Sequence, residues 1–273
     1  MNTAAAMVFP VGANAFTRAL SMEDVRERAP AVFAASPHAR MSGRYTFIQT
    51  ERVLSGLMQA GFVAVDARQA RSRAGNGVHG RHLIRLRRRV ETVEIDGTVP
   101  EVLFLNSHDG SSAYQLRVGL FRFVCTNGLI VSTEMFPAIR VAHRKDVVDE
   151  AIAGAIQLSS RFDALGAVVE RMRQRQLEER EQLALAQRAV ALRFGEGWDV
   201  GVPASALLLP RRPQDTGADL WHTFNRLQEN MLRGGLSRRS PSGRLVRTRP
   251  IQSIKEDVRL NSGLWDAAVS MVA

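Results

Sequence analysis

The 273-residue chain has a single cysteine, Cys125, two tyrosines and almost no lysine. One thiol excludes an intrachain disulfide framework and a cysteine-rich zinc site. No stretch of 18 uninterrupted apolar residues occurs, so no segment is expected to cross a membrane. The opening MNTAAAMVFPVGANAF lacks a basic n-region, and Pro10, Gly12 and Asn14 break its apolar run. It does not read as a signal peptide, and a cytoplasmic location is expected. Both G-x-x-x-x-G-K-[ST] and G-x-S-x-G are missing, which argues against an ATP phosphate loop and a nucleophile elbow. Gly75, Gly77 and Gly80 spell G-x-G-x-x-G, but they precede a predicted strand instead of following one, so the dinucleotide reading fails. No cofactor is expected.

What the chain has in abundance is arginine. All but two of its 37 basic residues, Lys145 and Lys255, are arginine; the formal net charge is +10 and the sequence pI about 11.1. Genomic base composition and selection for planar phosphate-binding forks both fit this bias. An excess of this size favours an anionic partner through steering and counterion release. Hydrophobic residues at 45% and charged residues at 23% are ordinary for a globular chain with a sizeable core.

Residues 1–40 read as an N-terminal arm, 41–195 as an α+β core, and 196–273 as a connector with C-terminal helices. Ser21 to Asp24 has the pattern of a helix start. Tyr45–Ile48 reads as a short strand, Thr50 as the cap of a helix to about Ala60, and Phe62–Val65 as the start of an extended segment. HLIRLRRRV, 82–90, reads as a strand with Arg85, Arg87 and Arg89 on one side and Ile84, Leu86 and Val90 on the other; Arg88 is out of pattern, and His82 is a candidate member of the basic side. EVLFLNS, the His108-Asp109-Gly110 turn and YQLRVGLFRFVC complete a three-stranded antiparallel meander. Arg122 reads three ways: a buried paired charge, a groove-lining charge, or a cation reaching the sheet edge. Asn127-Gly128 predicts a turn.

From Arg144 the apolar period becomes helical and runs to about Phe194, with Asp146 at the N-cap. Leu220, Phe224, Leu227 and Met231 form a stripe on a helix closed by Gly234. Residues 236–250 read as a basic loop, and Ser253 to Glu256 as a capping box for a last helix. The fold expectation is therefore α+β: an antiparallel meander packed against a long helix, with a C-terminal helical subdomain.

His143, Asp146, Asp149 and Glu150 fall within eight residues, a spacing open to a divalent cation and nuclease chemistry. Helix capping and dipole compensation explain the same acids, and no catalytic or metal-binding residue is assigned. Cys125 reads as a small buried hydrophobe. Basic residues interleaved with aromatics remain. Arg81, Arg85, Arg87, Arg88, Arg89, Arg117, Arg122, Arg238, Arg239, Arg244, Arg247 and Arg249 are the candidate nucleic-acid contacts, with Tyr45, Tyr114, Phe121 and Phe123 as stacking surface.

RYTFIQT at 44–50, GLFRFVCTNGLIVS at 119–132, IRVAHRKDVVDEAI at 139–152, LWHTFNRLQENMLRGGL at 220–236 and RTRPIQSIKEDVRLNSGLWDAA at 247–268 resemble a phage- and plasmid-borne family filed as a domain of unknown function. The resemblance covers about residues 40–270 and implies no catalytic residues. Its members tend to sit near antirestriction and repair genes on mobile elements. Asn225, Gln228, Glu229, Asn230, Gly234 and Gly235 carry its most specific pattern, read here as a polar network tying the last helices to the sheet. The order helix, meander, long helix is similar to eukaryotic-type single-strand annealing recombination proteins, a topological analogy. The expectation is an ATP-independent DNA-binding protein, not an enzyme. It would prefer single strands, anneal them in recombination, and assemble as a homo-oligomer, a ring being one form. A metal-dependent nuclease and a host-directed protein-binding factor are the alternatives.

Overall fold

The computed structural model describes residues 19–42, 45–70, 77–89, 95, 97–122, 128–131, 136–141, 146–195, 201–240 and 242–272, with backbone only at 128–131 and Arg239. The chain forms two compact units. The first comprises residues 1–128 and 136–162, the second residues 129–135 and 163–273. The fold class is α+β with an antiparallel sheet, as expected.

The first unit opens with α1 (Met22–Arg28), where the predicted helix start is a full capping box: Ser21 Oγ accepts from Asp24 N, and Asp24 Oδ2 accepts from Ser21 N. α2 (Thr50–Gln59) buries Val53, Leu54 and Leu57. Gln49 takes its N-cap position, so Thr50 is a helical residue and its hydroxyl is free for other work. Tyr45–Ile48 precedes it as extended chain without strand pairing. Then come β1 (Phe62–Gln69), β2 (His82–Arg88), β3 (Thr98–Asn106) and β4 (Tyr114–Arg122), each antiparallel to the next. The meander thus has one strand more than the sequence pattern suggested. The short β5 (Gly128–Val131) follows, and β6 (Ile139–Val141) pairs with β4. Phe123, Cys125, Asn127 and His143 fall outside the described residues, and so does the predicted turn except for Gly128, which opens β5.

One sheet face carries Ile84, Leu86, Val102, Phe104, Tyr114, Leu116 and Val118, all buried. Helix α3 (Val147–Ser159) lies on it closely: a Cβ on Gly154 would come within 3.0 Å of Leu116 and 3.2 Å of Ile139. Asp146 sits at the N-cap of α3, but its side chain accepts no capping hydrogen bond.

The predicted long helical run is helical but broken twice, at 160–161 and 175–178. Two further helices result, α4 (Phe162–Gln174) and α5 (Glu179–Phe194). The second break has a local cause. Glu178 and Glu181 form a capping box that starts α5 afresh, and Arg175 pairs with Glu181 at 2.5 Å. In the second unit, α6 (Leu220–Arg233) is the central element. Every residue from Leu220 to Leu232 except His222 is buried, including the predicted apolar stripe. Trp221 stacks on Phe224 with centroids 5.8 Å apart, and Phe224 meets Trp265 edge-on at 5.7 Å. Trp265 belongs to α7 (Ile254–Val269). Ser253 caps α7 at Glu256 N, but the Glu256 carboxylate turns to Arg259, so half of the predicted box forms.

Candidate nucleic-acid interface

The segment read as a basic loop, 236–250, is instead a two-stranded antiparallel ribbon, β7 (Ser237–Arg239) and β8 (Leu245–Arg247). Ser237 faces Arg247, Arg238 faces Val246, and Arg239 faces Leu245. Its turn is closed by Ser240 N donating to Arg244 O and Gly243 N donating to Ser240 O, both at 2.8 Å. Its foot is tied down. Gly235 N donates to Thr248 O, Thr248 N to Leu236 O, and Leu236 N to the Thr248 hydroxyl. Arg211 clamps Gly234 O and Asn230 Oδ1, while Arg193 clamps Met231 O and Arg249 O.

Arg244, Arg247 and Arg249 are exposed, and none forms an ion pair among the described residues. Arg238 is half-buried. Leu245, two residues from Arg247 on the same strand face, is 67% exposed. Between Glu229 and Glu256 the chain has no acidic residue and seven basic ones, Arg233, Arg238, Arg239, Arg244, Arg247, Arg249 and Lys255. A tied-down stalk therefore presents Arg244, Arg247 and Arg249, without ion-pair partners among the described residues, around an exposed apolar side chain.

The first unit treats its predicted arginines differently. Arg85 and Arg87 do share a sheet face, but both are buried and committed to Glu101. Arg85 grips Glu101 through Nε and Nη2 at 2.5 and 2.8 Å, and Arg87 donates from Nε at 2.7 Å. The register places Val102 opposite Leu86, so Glu101 sits across from Arg87 and diagonal to Arg85. A bulge between Ala64 and Asp66 brings Asp66 opposite Arg85, at 3.7 Å from its Nη1. The Phe121 ring lies 3.8 Å from the Arg85 guanidinium and 5.4 Å from that of Arg87. The expectation of an open phosphate-binding face at Arg85 and Arg87 is thereby corrected: these are buried, neutralised cations. Burial would raise the Glu101 pKa, but the two arginines outweigh it and hold it below the usual carboxylate range.

The other predicted residues scatter. Arg89 is exposed beyond the end of β2, and Arg88 and Arg122 are half-buried. Arg81 is half-buried and donates to Ser111 O. Arg117 donates to Gln115 Oε1 at 3.2 and 3.0 Å; burial and then the nearby Arg140 lower its pKa. Tyr114 and Phe121 are buried and offer no stacking surface, and Phe123 lies outside the described residues.

His82 is not part of the arginine face. It lies on the opposite face, fully buried, within a polar cluster at the start of α2. Thr50 Oγ1 lies 3.0 Å from His82 Nε2, 3.1 Å from His108 Nε2 and 2.9 Å from Asn106 Nδ2. His82 Nδ1 is 3.0 Å from Gly80 O, which assigns the proton to Nδ1. Thr50 then donates to His82 Nε2 and accepts from Asn106 and His108, using the hydroxyl's full capacity. Burial pushes the His82 pKa down to about 4, opposed by the Gly80 carbonyl and Asp109, so it is neutral at pH 7.

Within the second unit the Asn225–Asn230 pattern is a structural network tied to the connector and α7. Asn230 Nδ2 donates to Leu207 O and Leu209 O, Gln228 to Asn261, and Arg212 to Glu229. Among the described residues no three His, Cys, Asp or Glu side chains converge as a metal requires. Asp146, Asp149 and Glu150 are exposed. No described helix is long and apolar enough to cross a membrane.

Glu101, Asp66 and the clamps Arg193 and Arg211 were missed by sequence reasoning. Only strand register reveals Glu101, and only the folded connector reveals Arg211.

The model of the family described as "Domain of unknown function (DUF932)" matches residues 37–265. UPF0380 protein YafZ of Escherichia coli (strain K12) is 42% identical over 257 residues, 93% of this chain and 92% of its own. UPF0380 protein YfjQ of the same organism is 40% identical with the same coverage. No solved structure matches. The chain belongs to the DUF932 family.

Proposed function

We propose that this DUF932 chain is an ATP-independent, cytoplasmic DNA-binding protein whose preferred partner is single-stranded DNA. The β7–β8 ribbon is its main contact. One observation carries the reading: exposed Arg244, Arg247 and Arg249, with no ion pair among the described residues, stand beside exposed Leu245 on a tied-down stalk, within 26 residues free of acid. Arginine forks bind phosphate oxygens without regard to sequence. An exposed leucine offers an apolar surface to unstacked bases, which a single strand presents and a duplex hides. The net charge of +10 adds steering and counterion release. Annealing of complementary strands during recombination on mobile elements, by a homo-oligomer, is the biological role this chemistry serves. Arg85 and Arg87 support the sheet and are no longer part of the contact set.

Fluorescence anisotropy of a labelled oligothymidylate, with a duplex control, tests the reading. Single-strand binding tighter than duplex binding at physiological salt supports it. No binding to either, even at low salt, overturns it.

A further inference from the structure

A cleft of about 670 Å³ opens between the C-terminal turn of α5 and α7, lined by Arg188, Leu192, Arg193, Phe194, Arg259 and Gly263 among others. That volume is within the range of small-ligand sites. A Cβ on Gly263 would come within 2.8 Å of Leu192, so glycine lets the two helices close on the floor. Two of the arginines are held in place by the fold. Arg259 donates to Leu192 O at 2.7 Å and straddles Glu256 at 3.0 and 2.5 Å. Arg193 is clamped to Met231 O and to Arg249 O at the ribbon's foot. Among the described residues, neither Nη1 of Arg259 nor Nε of Arg193 has an acceptor. Arg188 is exposed, and among the described residues its guanidinium has no hydrogen-bond or ion-pair partner. Among the described residues, Glu256 is the carboxylate set against Arg193, Arg259 and Lys255, and Arg188 adds a further cation to the lining, so the described part of the rim is positive. Phe194 adds a half-buried ring 5.1 Å from the Arg193 guanidinium, beside apolar Ala191, Leu192 and Ala267.

Fixed cations next to an aromatic wall suit a ligand with an anionic end and a flat apolar end. Preorganised forks bind phosphate with little ordering cost, and aromatic faces take bases of any sequence. We propose that the α5–α7 cleft holds one nucleotide of the bound strand, its phosphate on Arg188, Arg193 and Arg259 and its base against Phe194. The proposal rests on the DNA-binding reading above. It adds a second contact site, joined to the ribbon through Arg193.

The test uses the full chain and an oligothymidylate carrying one 5-bromodeoxyuridine, photo-cross-linked and mapped by peptide. Affinities of Arg188→Glu and Arg180→Glu are compared in parallel. The control lies on the same helix, fully outside the cleft, and makes the same charge change. The expected result is an adduct in the peptide containing Phe194, with Arg188→Glu weakening binding about tenfold more than the control. Circular dichroism checks that both variants keep their helices, and Arg188→Gln should show a smaller loss in the same direction. Strand binding with adducts only elsewhere, or equal losses in the two charge variants, overturns the cleft and leaves the ribbon reading standing. Wild-type protein that fails to bind the strand defeats both, and that is seen before any variant is made.

Discussion

Glu101 is the residue on which the first unit's sheet depends most. It is 1% exposed and pinned by two guanidiniums that are themselves buried. Removing one partner of such a cluster strands charge where water cannot reach it. Glu101→Gln should therefore destabilise the first unit by about 3–5 kcal/mol. Both tyrosines fall in that unit's stretch of chain and all three tryptophans in the other's, so loss of tyrosine near-UV ellipticity before tryptophan fluorescence would report it. Simultaneous, unshifted transitions would contradict it. His82 predicts a pH effect of definite sign. Its folded-state pKa is about 4 against an ordinary 6.5, so the unfolded chain takes up a proton that the folded protein refuses. Stability is full above pH 6.5 and falls as pH drops toward 4, by about 3 kcal/mol in all. Glu101, with its lowered pKa, adds its own loss only below about 4.5. A tyrosine-detected melting temperature that is flat from pH 7 to 4.5 would rule out the His82 assignment.

At the scale of elements, the ribbon depends on the chain reversal at Gly234. That residue has φ +64° and ψ −144°, and a Cβ there would lie 2.6 Å from Arg249 O and 2.7 Å from Thr248 O. Gly234→Ala should loosen the ribbon's foot and weaken strand binding without removing any arginine. Anisotropy measures that, and unchanged affinity would argue that the ribbon's placement is unimportant. Elements were legible where local pattern decides them. The apolar steps of α2 and α6, the Ser21 box and the alternation along β2 all fold as their spacing implies. The ribbon is not legible as strands in the sequence because each is three residues long, too short for a period. The breaks around α4 were hidden because Glu178 and Glu181 look like any charged helix surface until the chain turns there. Strand parity placed Arg85 and Arg87 on one face correctly. It was silent on what faces them, because Glu101 and Asp66 arrive through register and a bulge, which are set by the whole sheet.

For the whole molecule, net charge says little about which cations a partner can reach. Two of the most conspicuous arginines, Arg85 and Arg87, are internal counter-ions to Glu101, so counting cations overstates what a polyanion meets. The acid-free stretch from Asn230 to Lys255 is a better guide, because within it Arg244, Arg247 and Arg249 are exposed and have no ion-pair partner among the described residues. The family match supplies membership and no chemistry, and the functional reading rests on that surface. The most direct measurement is the salt dependence of oligothymidylate affinity for wild type and for the Arg244→Ala, Arg247→Ala, Arg249→Ala triple variant. With each phosphate contact contributing roughly 0.7 to the log–log slope for single strands, the variant should bind more weakly and lose about 2 from the slope. An unchanged slope and affinity would show that the ribbon does not touch the DNA backbone.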